Sequence, residues 1–144
     1  MRTRANANDR LRDIPMFRGC SNKDLAVLAR LMDRVDLPAG RVLVREGKPG
    51  RECFVIDEGK VSVTRDGEEV AMLGPGDVLG ELAILSGGPR DATGTASTPI
   101  SVYVLTQGAF QGALAEVPSV RNHVFQVLAR RLREVEAPAI AAAH

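Results

Sequence analysis

This sequence is poor in the residues that build several common kinds of functional site. Aromatic residues make up only 3% of its 144 residues and tryptophan is absent, so base-stacking platforms are not expected. Its two histidines and two cysteines fit no metal spacing, and we expect Cys20 and Cys53 to be reduced and buried. No apolar run reaches transmembrane length, no secretory signal is present, and the net charge is only +1. The sequence therefore argues against a metal centre, a membrane partner or a nucleic-acid partner, and favours a cytoplasmic protein.

The remaining composition is that of one globular domain. A chain of 144 residues that is 44% apolar and 26% charged suits a single core. We expect residues 1–10 to form a poorly ordered tail and residues 11–136 to form the domain. Residues 137–144 should be a C-terminal tail, because Pro138 is predicted to end the last helix.

Hydrophobic periodicity predicts helices at both ends of the chain. Ser21 and Asp24 form a capping-box pattern before apolar residues at helical spacing, which predicts a helix over residues 21–34. Thr106 caps a second helix and Pro118 suits the first turn of a final one. The apolar stripe of the final helix is expected to be core or dimer seam; it comprises Val120, Val124, Val127, Leu128, Leu132 and Val135.

Short apolar runs separated by turns fill the middle of the chain. They lie at residues 42–44, 53–56, 61–64, 70–73 and 101–105. Asp66 and Gly67 give the strongest hairpin signal. This pattern predicts an α+β fold, an antiparallel β-roll (jelly-roll-like) of about eight strands, flanked by N-terminal helices and two C-terminal helices.

Residues 79–96, LGELAILSGGPRDATGTA, carry the pattern with the most chemical content. Gly80 and Glu81 open a short apolar helical turn, a Gly-Gly-Pro break precedes Arg90, and small and β-branched residues then indicate a strand. A helix N-terminus attracts anions and an arginine beside it completes a phosphate pocket. Because a carboxylate suits a hydroxyl better than an anion, the pattern predicts a small phosphorylated ligand with a sugar hydroxyl.

These residues resemble the phosphate-binding cassette of the cyclic nucleotide-binding domain family, the module of cAMP receptor proteins, protein kinase regulatory subunits and cyclic nucleotide-gated channels. The cassette pattern is GELAI from Gly80, then five residues, then Arg90. The resemblance covers roughly residues 12–136 and implies cAMP or cGMP as the ligand. The spacing of the preceding glycines also fits: Gly40, Gly47, Gly50 and Gly59.

The resemblance assigns a role to each cassette residue. Glu81 would bind the ribose 2′-hydroxyl and Arg90 an equatorial phosphate oxygen, while backbone amides complete the phosphate shell. The implied ligand-binding residues are Gly80, Glu81, Leu82, Ala83, Arg90, Asp91 and Ala92. A residue within 124–132 of the last helix would close over the base, and that helix is also the candidate seam of a homodimer.

The sequence departs from the family pattern at three positions. Asp91 stands where the family usually has Ala, Ser or Thr. The chain therefore lacks the threonine that is associated with a preference for cGMP in the family. The Asp91 carboxylate would repel a phosphate, or neutralise Arg90 in the empty pocket. Gly94 replaces an apolar strand residue and is expected to loosen the strand, and Leu79 replaces an aromatic.

Three hypotheses follow for function. The first is a non-catalytic cyclic-nucleotide sensor, preferentially for cAMP, that moves its last helix on binding. The second, favoured by Asp91, is a degenerate domain that serves as a dimerisation or scaffold module, in which Arg90 forms a structural ion pair with Asp91 or Glu81. The third, a transcription factor of the cAMP receptor protein type, requires a longer chain, since no helix-turn-helix pattern follows the last helix.

Overall fold

The computed structural model describes residues 11–142, except for the side chains of residues 82, 86, 131 and 134–142. The tail predicted at residues 1–10 lies outside the described residues, as do residues 143 and 144. The helices are a 3-10 helix Pro15–Phe17, α1 Asn22–Leu31, α2 Glu81–Ser86, α3 Gln107–Glu116 and α4 Pro118–Ala142. The strands are β1 Asp33–Leu37, β2 Val42–Val44, β3 Glu52–Glu58, β4 Val61–Arg65, β5 Glu68–Leu73, β6 Val78–Leu79, β7 Thr93–Ala96 and β8 Ile100–Thr106.

The strands of the described region form two four-stranded antiparallel sheets. Sheet A has the order β1-β8-β3-β6 and sheet B the order β2-β7-β4-β5. Apart from the short α2 between β6 and β7, the helices lie at the two ends of the chain, as the α+β prediction requires. The predicted β-roll of about eight strands with flanking helices is thus confirmed.

The two inner strands of sheet A, β8 and β3, are buried on both faces. In β3, Phe54 and Ile56 point into the core between the sheets, whereas Cys53 and Val55 point into a second core under the helices. Strand side chains alternate between the two faces of a sheet. A strand that is buried on both faces therefore has apolar residues at successive positions, without alternating polar ones. This burial explains the continuous apolar run of β3 in the sequence.

Local signals placed several helix and turn boundaries correctly. Ser21 and Asp24 form the predicted capping box, and the Thr106 hydroxyl accepts a hydrogen bond from the Ala109 amide at 3.2 Å. Asp66 and Gly67 adopt φ values of 54° and 82°, as expected at the centre of a tight hairpin. Each of these signals depends only on neighbouring residues.

The first helix is shorter than predicted, because a strand begins earlier than the sequence suggests. α1 ends at Leu31, and β1 pairs with β8 from Asp33 opposite Val104 to Leu37 opposite Ile100. The predicted helix over residues 21–34 was therefore too long at its C-terminal end. Sheet pairing with a distant strand outweighs local helical spacing at residues 33 and 34.

The final helix is longer than predicted. It was expected to end at Pro138 but continues to Ala142. A proline inside a helix removes one backbone hydrogen bond and bends the helix without always ending it. Alanines surround this proline in the sequence and have the highest helix propensity, which favours continuation.

Gly94 does not simply loosen β7, because it makes room for a neighbouring side chain. A Cβ at this position would lie 2.7 Å from Leu79 Cδ2 and 3.2 Å from Val44 Cγ2. β7 stays paired with both β4 and β2, but its register against β2 shifts at Gly94: Val44 lies opposite Gly94 and Val42 lies opposite Thr95. Leu79 and Gly94, two departures from the family pattern, therefore pack against each other.

Both cysteines are free and buried, as predicted. Burial is the main cause that raises the pKa of Cys53 to about 12; Glu81 raises it further and Arg90 opposes the rise. Burial also raises the pKa of Cys20. Since the thiolate is the nucleophile, both groups are held in their inert form.

We expect Cys53 to resist a disulfide reagent such as DTNB in the folded protein at about pH 8. A Cys20→Ser variant isolates the Cys53 thiol, and the release of thionitrobenzoate measures its reaction. One equivalent should react only after denaturation in guanidinium. Rapid stoichiometric labelling under native conditions would contradict the buried, protonated thiol.

Candidate functional site

A cavity of about 400 Å³ lies between sheet B and residues 79–92. Its apolar wall includes Val44, Val63 and Leu73 from sheet B. Sites for small organic ligands usually enclose about 300–1,000 Å³ and combine apolar walls with a few polar groups. The cavity therefore has the size and lining of a site for a mononucleotide-sized molecule.

The predicted site residues converge on this cavity. Six of the seven line it: Gly80, Glu81, Ala83, Arg90, Asp91 and Ala92. Leu82 belongs to α2, and its side chain lies outside the described residues. The sequence pattern thus identified neighbours in space, while the ligand contacts assigned to these residues stay predictions.

Arg90 is the buried cation of the cavity, with only 8% of its surface exposed. Its Nη2 donates to the Glu52 carbonyl at 2.7 Å, and its Nη1 donates to the Gly80 carbonyl at 3.2 Å. Among the side chains that the structure describes, no carboxylate lies within ion-pair distance of Arg90, so the structural ion pair with Asp91 or Glu81 is not formed there. Burial lowers the pKa of Arg90, which indicates that its charge is incompletely compensated.

Two glycines create the space that the Arg90 guanidinium occupies. A Cβ at Gly50 would lie 2.6 Å from Ala83 Cβ and 3.1 Å from Arg90 Nε. Gly80 has a φ of 93°, and a Cβ there would overlap Arg90 Nη1. The absence of a side chain at Gly80 therefore makes room for Arg90.

The backbone of Arg90 is tied to the loop after β2. Its N–H donates to the Lys48 carbonyl and its carbonyl accepts from the Gly47 N–H, each at 2.8 Å. The Arg90 amide is therefore engaged within the protein, while the assignment of backbone amides to a phosphate shell stays a prediction.

Glu81 places a carboxylate in the same cavity as Arg90. It is the first residue of α2 and is 8% exposed. A carboxylate in the first turn of a helix is favoured by the partial positive charge of the helix N-terminus. The cavity thus offers an acceptor for hydroxyl donors and a cation for anions.

Asp91 is exposed and its carboxylate is paired with Arg65, a residue that the sequence analysis missed. Arg65 Nη2 lies 3.3 Å from Asp91 Oδ2, and Arg65 Nε donates to the Asp91 carbonyl at 3.1 Å. Arg65 precedes the predicted hairpin turn, which places it at a strand end. Nothing in the sequence connects it with a residue 26 positions away.

The final helix contributes Val127 to the cavity. The sequence analysis had left open which residue within 124–132 approaches the ligand. Val120 and Val124, on the same side of α4, are buried against the helical core. The side next to this buried face carries three exposed apolar residues: Phe125 (68% exposed), Leu128 (43%) and Leu132 (60%). The predicted stripe is therefore divided between a buried face and an exposed face, and the side chain of Val135 lies outside the described residues.

In the described part of the chain, no three His, Cys, Asp or Glu side chains gather as metal ligands would. None of its helices combines the length and apolar character that crossing a bilayer requires.

The chain is similar to known proteins along most of its length. The family model described as "Cyclic nucleotide-binding domain" matches residues 34–117. A "CRP-like cAMP-activated global transcriptional regulator" of Mycobacterium tuberculosis is 34% identical over 123 residues, which are 82% of this chain and 55% of the regulator. This chain therefore spans about half the length of that relative.

Solved structures give the same result for the fold. The catabolite activator protein of Thermus thermophilus matches with a TM-score of 0.79 and 27% identity, over 90% of this chain and 63% of that one. The N-terminal domain of a transcriptional regulator from Streptomyces coelicolor A3(2) matches with a TM-score of 0.69 and 39% identity, over 88% and 94%. The resemblance inferred from the cassette residues is confirmed.

We expect Gly80→Ala to destabilise the protein more than Gly87→Ala, its matched control at the other end of α2. Both glycines have positive φ, but a Cβ at Gly87 meets nothing within 4 Å. The unfavourable φ alone should cost each variant about 1–2 kcal/mol of unfolding free energy. The overlap with Arg90 should add about 1–3 kcal/mol at Gly80. Urea unfolding measures both, and equal losses would contradict close packing between Gly80 and Arg90.

Proposed function

The chain belongs to the cyclic nucleotide-binding domain family, and from that premise we propose that it is a non-catalytic regulatory module that binds a cyclic nucleotide, preferentially cAMP. The observation that carries the proposal is the state of Arg90. A buried arginine without an anionic partner is unfavourable by several kcal/mol. Arg90 has no carboxylate partner among the described residues, yet it lines a cavity of about 400 Å³. An anion that enters the cavity would compensate its charge.

The cyclic phosphate is the group that we propose binds Arg90. A guanidinium has five N–H donors, and the two carbonyls of Glu52 and Gly80 leave others for a ligand. These carbonyls hold the planar group in one orientation, which favours paired hydrogen bonds to phosphate oxygens. The backbone N–H groups of Leu82 and Ala83 would add donors from the first turn of α2.

Glu81 is the proposed partner of the ribose 2′-hydroxyl. An ionised carboxylate is acceptor-only, so it favours a hydroxyl donor and disfavours a second anion. With Arg90 on the same cavity, it would fix the orientation of a ligand that carries one anionic group and one hydroxyl. A cyclic nucleotide has this combination.

We propose that α4 couples the cavity to a partner. Val127 would contact the base, so the position of α4 would depend on whether the cavity is filled. A ligand shifts such an equilibrium only by its different affinity for the two states. The exposed side of α4 is proposed as a homodimer seam, because Phe125, Leu128 and Leu132 form one apolar stripe at helical spacing.

One observation favours the second function, a scaffold module without ligand. The carboxylate of Asp91 lines the same cavity and would repel a phosphate if it stood alone. The cAMP activation and gene regulation named for the Mycobacterium relative apply to a longer protein, of which the match covers 55%, and we propose neither DNA nor a membrane as a partner of this region. The free, buried cysteines support a cytoplasmic location.

We expect the wild-type protein to bind cAMP in calorimetric titration and to bind cGMP more weakly. Arg90→Ala should lower cAMP affinity by about 30-fold or more, as for removal of one member of a buried charge pair. Glu81→Gln should lower it by about 10- to 100-fold, because a charge-assisted hydrogen bond becomes a neutral one.

Arg41→Ala is the matched control for loss of an arginine, because Arg41 is exposed and does not line the cavity. Thermal unfolding of each variant separates loss of affinity from loss of fold. If the folded wild-type protein binds neither nucleotide at millimolar concentration, the scaffold function replaces the sensor function.

We expect the protein to form a dimer through α4. Leu132→Glu should shift the equilibrium toward the monomer, because a charge would enter an apolar seam. Met72→Glu is the matched control, since Met72 is an exposed apolar residue on β5, 46% exposed. Light scattering across a concentration series measures the mass. A wild-type monomer at every concentration, or equal effects of both substitutions, would contradict this seam.

A further inference from the structure

A second arginine of the cavity, Arg65, has no role in the family pattern described above. We propose that Arg65 is an affinity-determining residue of the nucleotide site. It neutralises Asp91 and holds that carboxylate in place, which allows a phosphate anion to occupy the cavity beside it. This inference rests on the proposed cyclic-nucleotide function and explains how the site tolerates an aspartate directly after Arg90.

Arg65 makes two contacts with the same residue. Its Nη2 pairs with the Asp91 carboxylate at 3.3 Å and its Nε donates to the Asp91 carbonyl at 3.1 Å. One contact compensates the charge, and the other fixes the backbone that leads to Ala92. Both residues line the cavity with Arg90, so the pair belongs to the site and is not a remote surface contact.

The position of Arg65 relative to Asp91 is fixed by Glu46. The Glu46 carboxylate accepts from the Asp66 amide at 3.1 Å, next to Arg65. The Glu46 amide donates to the Thr93 hydroxyl at 3.0 Å, two residues after Asp91. The β4–β5 hairpin and the 91–93 segment are therefore joined on both sides of the ion pair. This arrangement keeps Arg65 within reach of Asp91 before a ligand arrives.

The charges that line the cavity show why Arg65 is needed. The lining contains two arginines, Arg65 and Arg90, and two carboxylates, Glu81 and Asp91, so its formal charge is zero. Without Arg65 the sum is −1, and a monoanionic phosphate would enter a net negative site. Without Asp91 the sum is +1, which favours the phosphate. The affinity for an anionic ligand should therefore increase as the formal charge of the lining becomes more positive.

The test is a double-mutant cycle of Arg65→Gln and Asp91→Asn, with cAMP titrated at low ionic strength. Asp91→Asn keeps the size of the side chain, and Arg65→Gln keeps a polar side chain while it removes the positive charge. We expect Arg65→Gln to bind cAMP about three- to tenfold more weakly, and Asp91→Asn to bind more tightly than wild type. The double variant should return to near wild-type affinity, and added salt should reduce all differences.

Arg41→Gln serves as the matched control, as an exposed arginine outside the cavity. Unchanged affinity in Arg65→Gln would overturn the inference and leave the cyclic-nucleotide function intact. The inference would also be overturned if the Arg65→Gln variant and the double variant bound cAMP equally weakly. Arg65 would then affect affinity independently of Asp91. Absence of cAMP and cGMP binding by the wild-type protein would overturn both proposals. Thermal unfolding confirms that each variant is folded.

Discussion

The structure around the cavity depends on burying one cation, the guanidinium of Arg90. Two backbone carbonyls orient it, and two glycines, Gly50 and Gly80, keep the space around it free. The backbone of Arg90 is in turn fixed to residues 47 and 48. These contacts supply hydrogen bonds but no negative charge. A site built in this way holds a positive charge ready for an anion, which is the physical basis of the proposed nucleotide function.

The departures from the family pattern are accommodated in pairs. Gly94 lies against Leu79, and a side chain at position 94 would overlap it. Asp91 adds a negative charge to the cavity, and Arg65 lies against it. A core does not tolerate such an overlap, and an uncompensated carboxylate would be unfavourable beside an anionic ligand. The family cassette is therefore best understood together with the strands that surround it.

The last helix has a buried face and an exposed apolar face. Its buried face supplies Val127 to the cavity and packs on the helical core, while its exposed face carries Phe125 and Leu132. A change in cavity occupancy and a change in partner binding would therefore act on the same rigid element. Such sharing is a simple route for coupling two sites, provided that the helix has two positions of similar free energy.

The sequence alone determined what depends on near neighbours: the capping box at Ser21, the hairpin at Asp66, the alternation of the strands and the cassette pattern that confirmed the family. Only the tertiary structure decided the start of β1, the use of the Arg90 amide within the protein, and the pairing of Arg65 with Asp91. The reason is physical. Caps and turns are stabilised by contacts within a few residues, whereas strand pairing and charge compensation join residues far apart in the chain, and which of them meet depends on the complete fold.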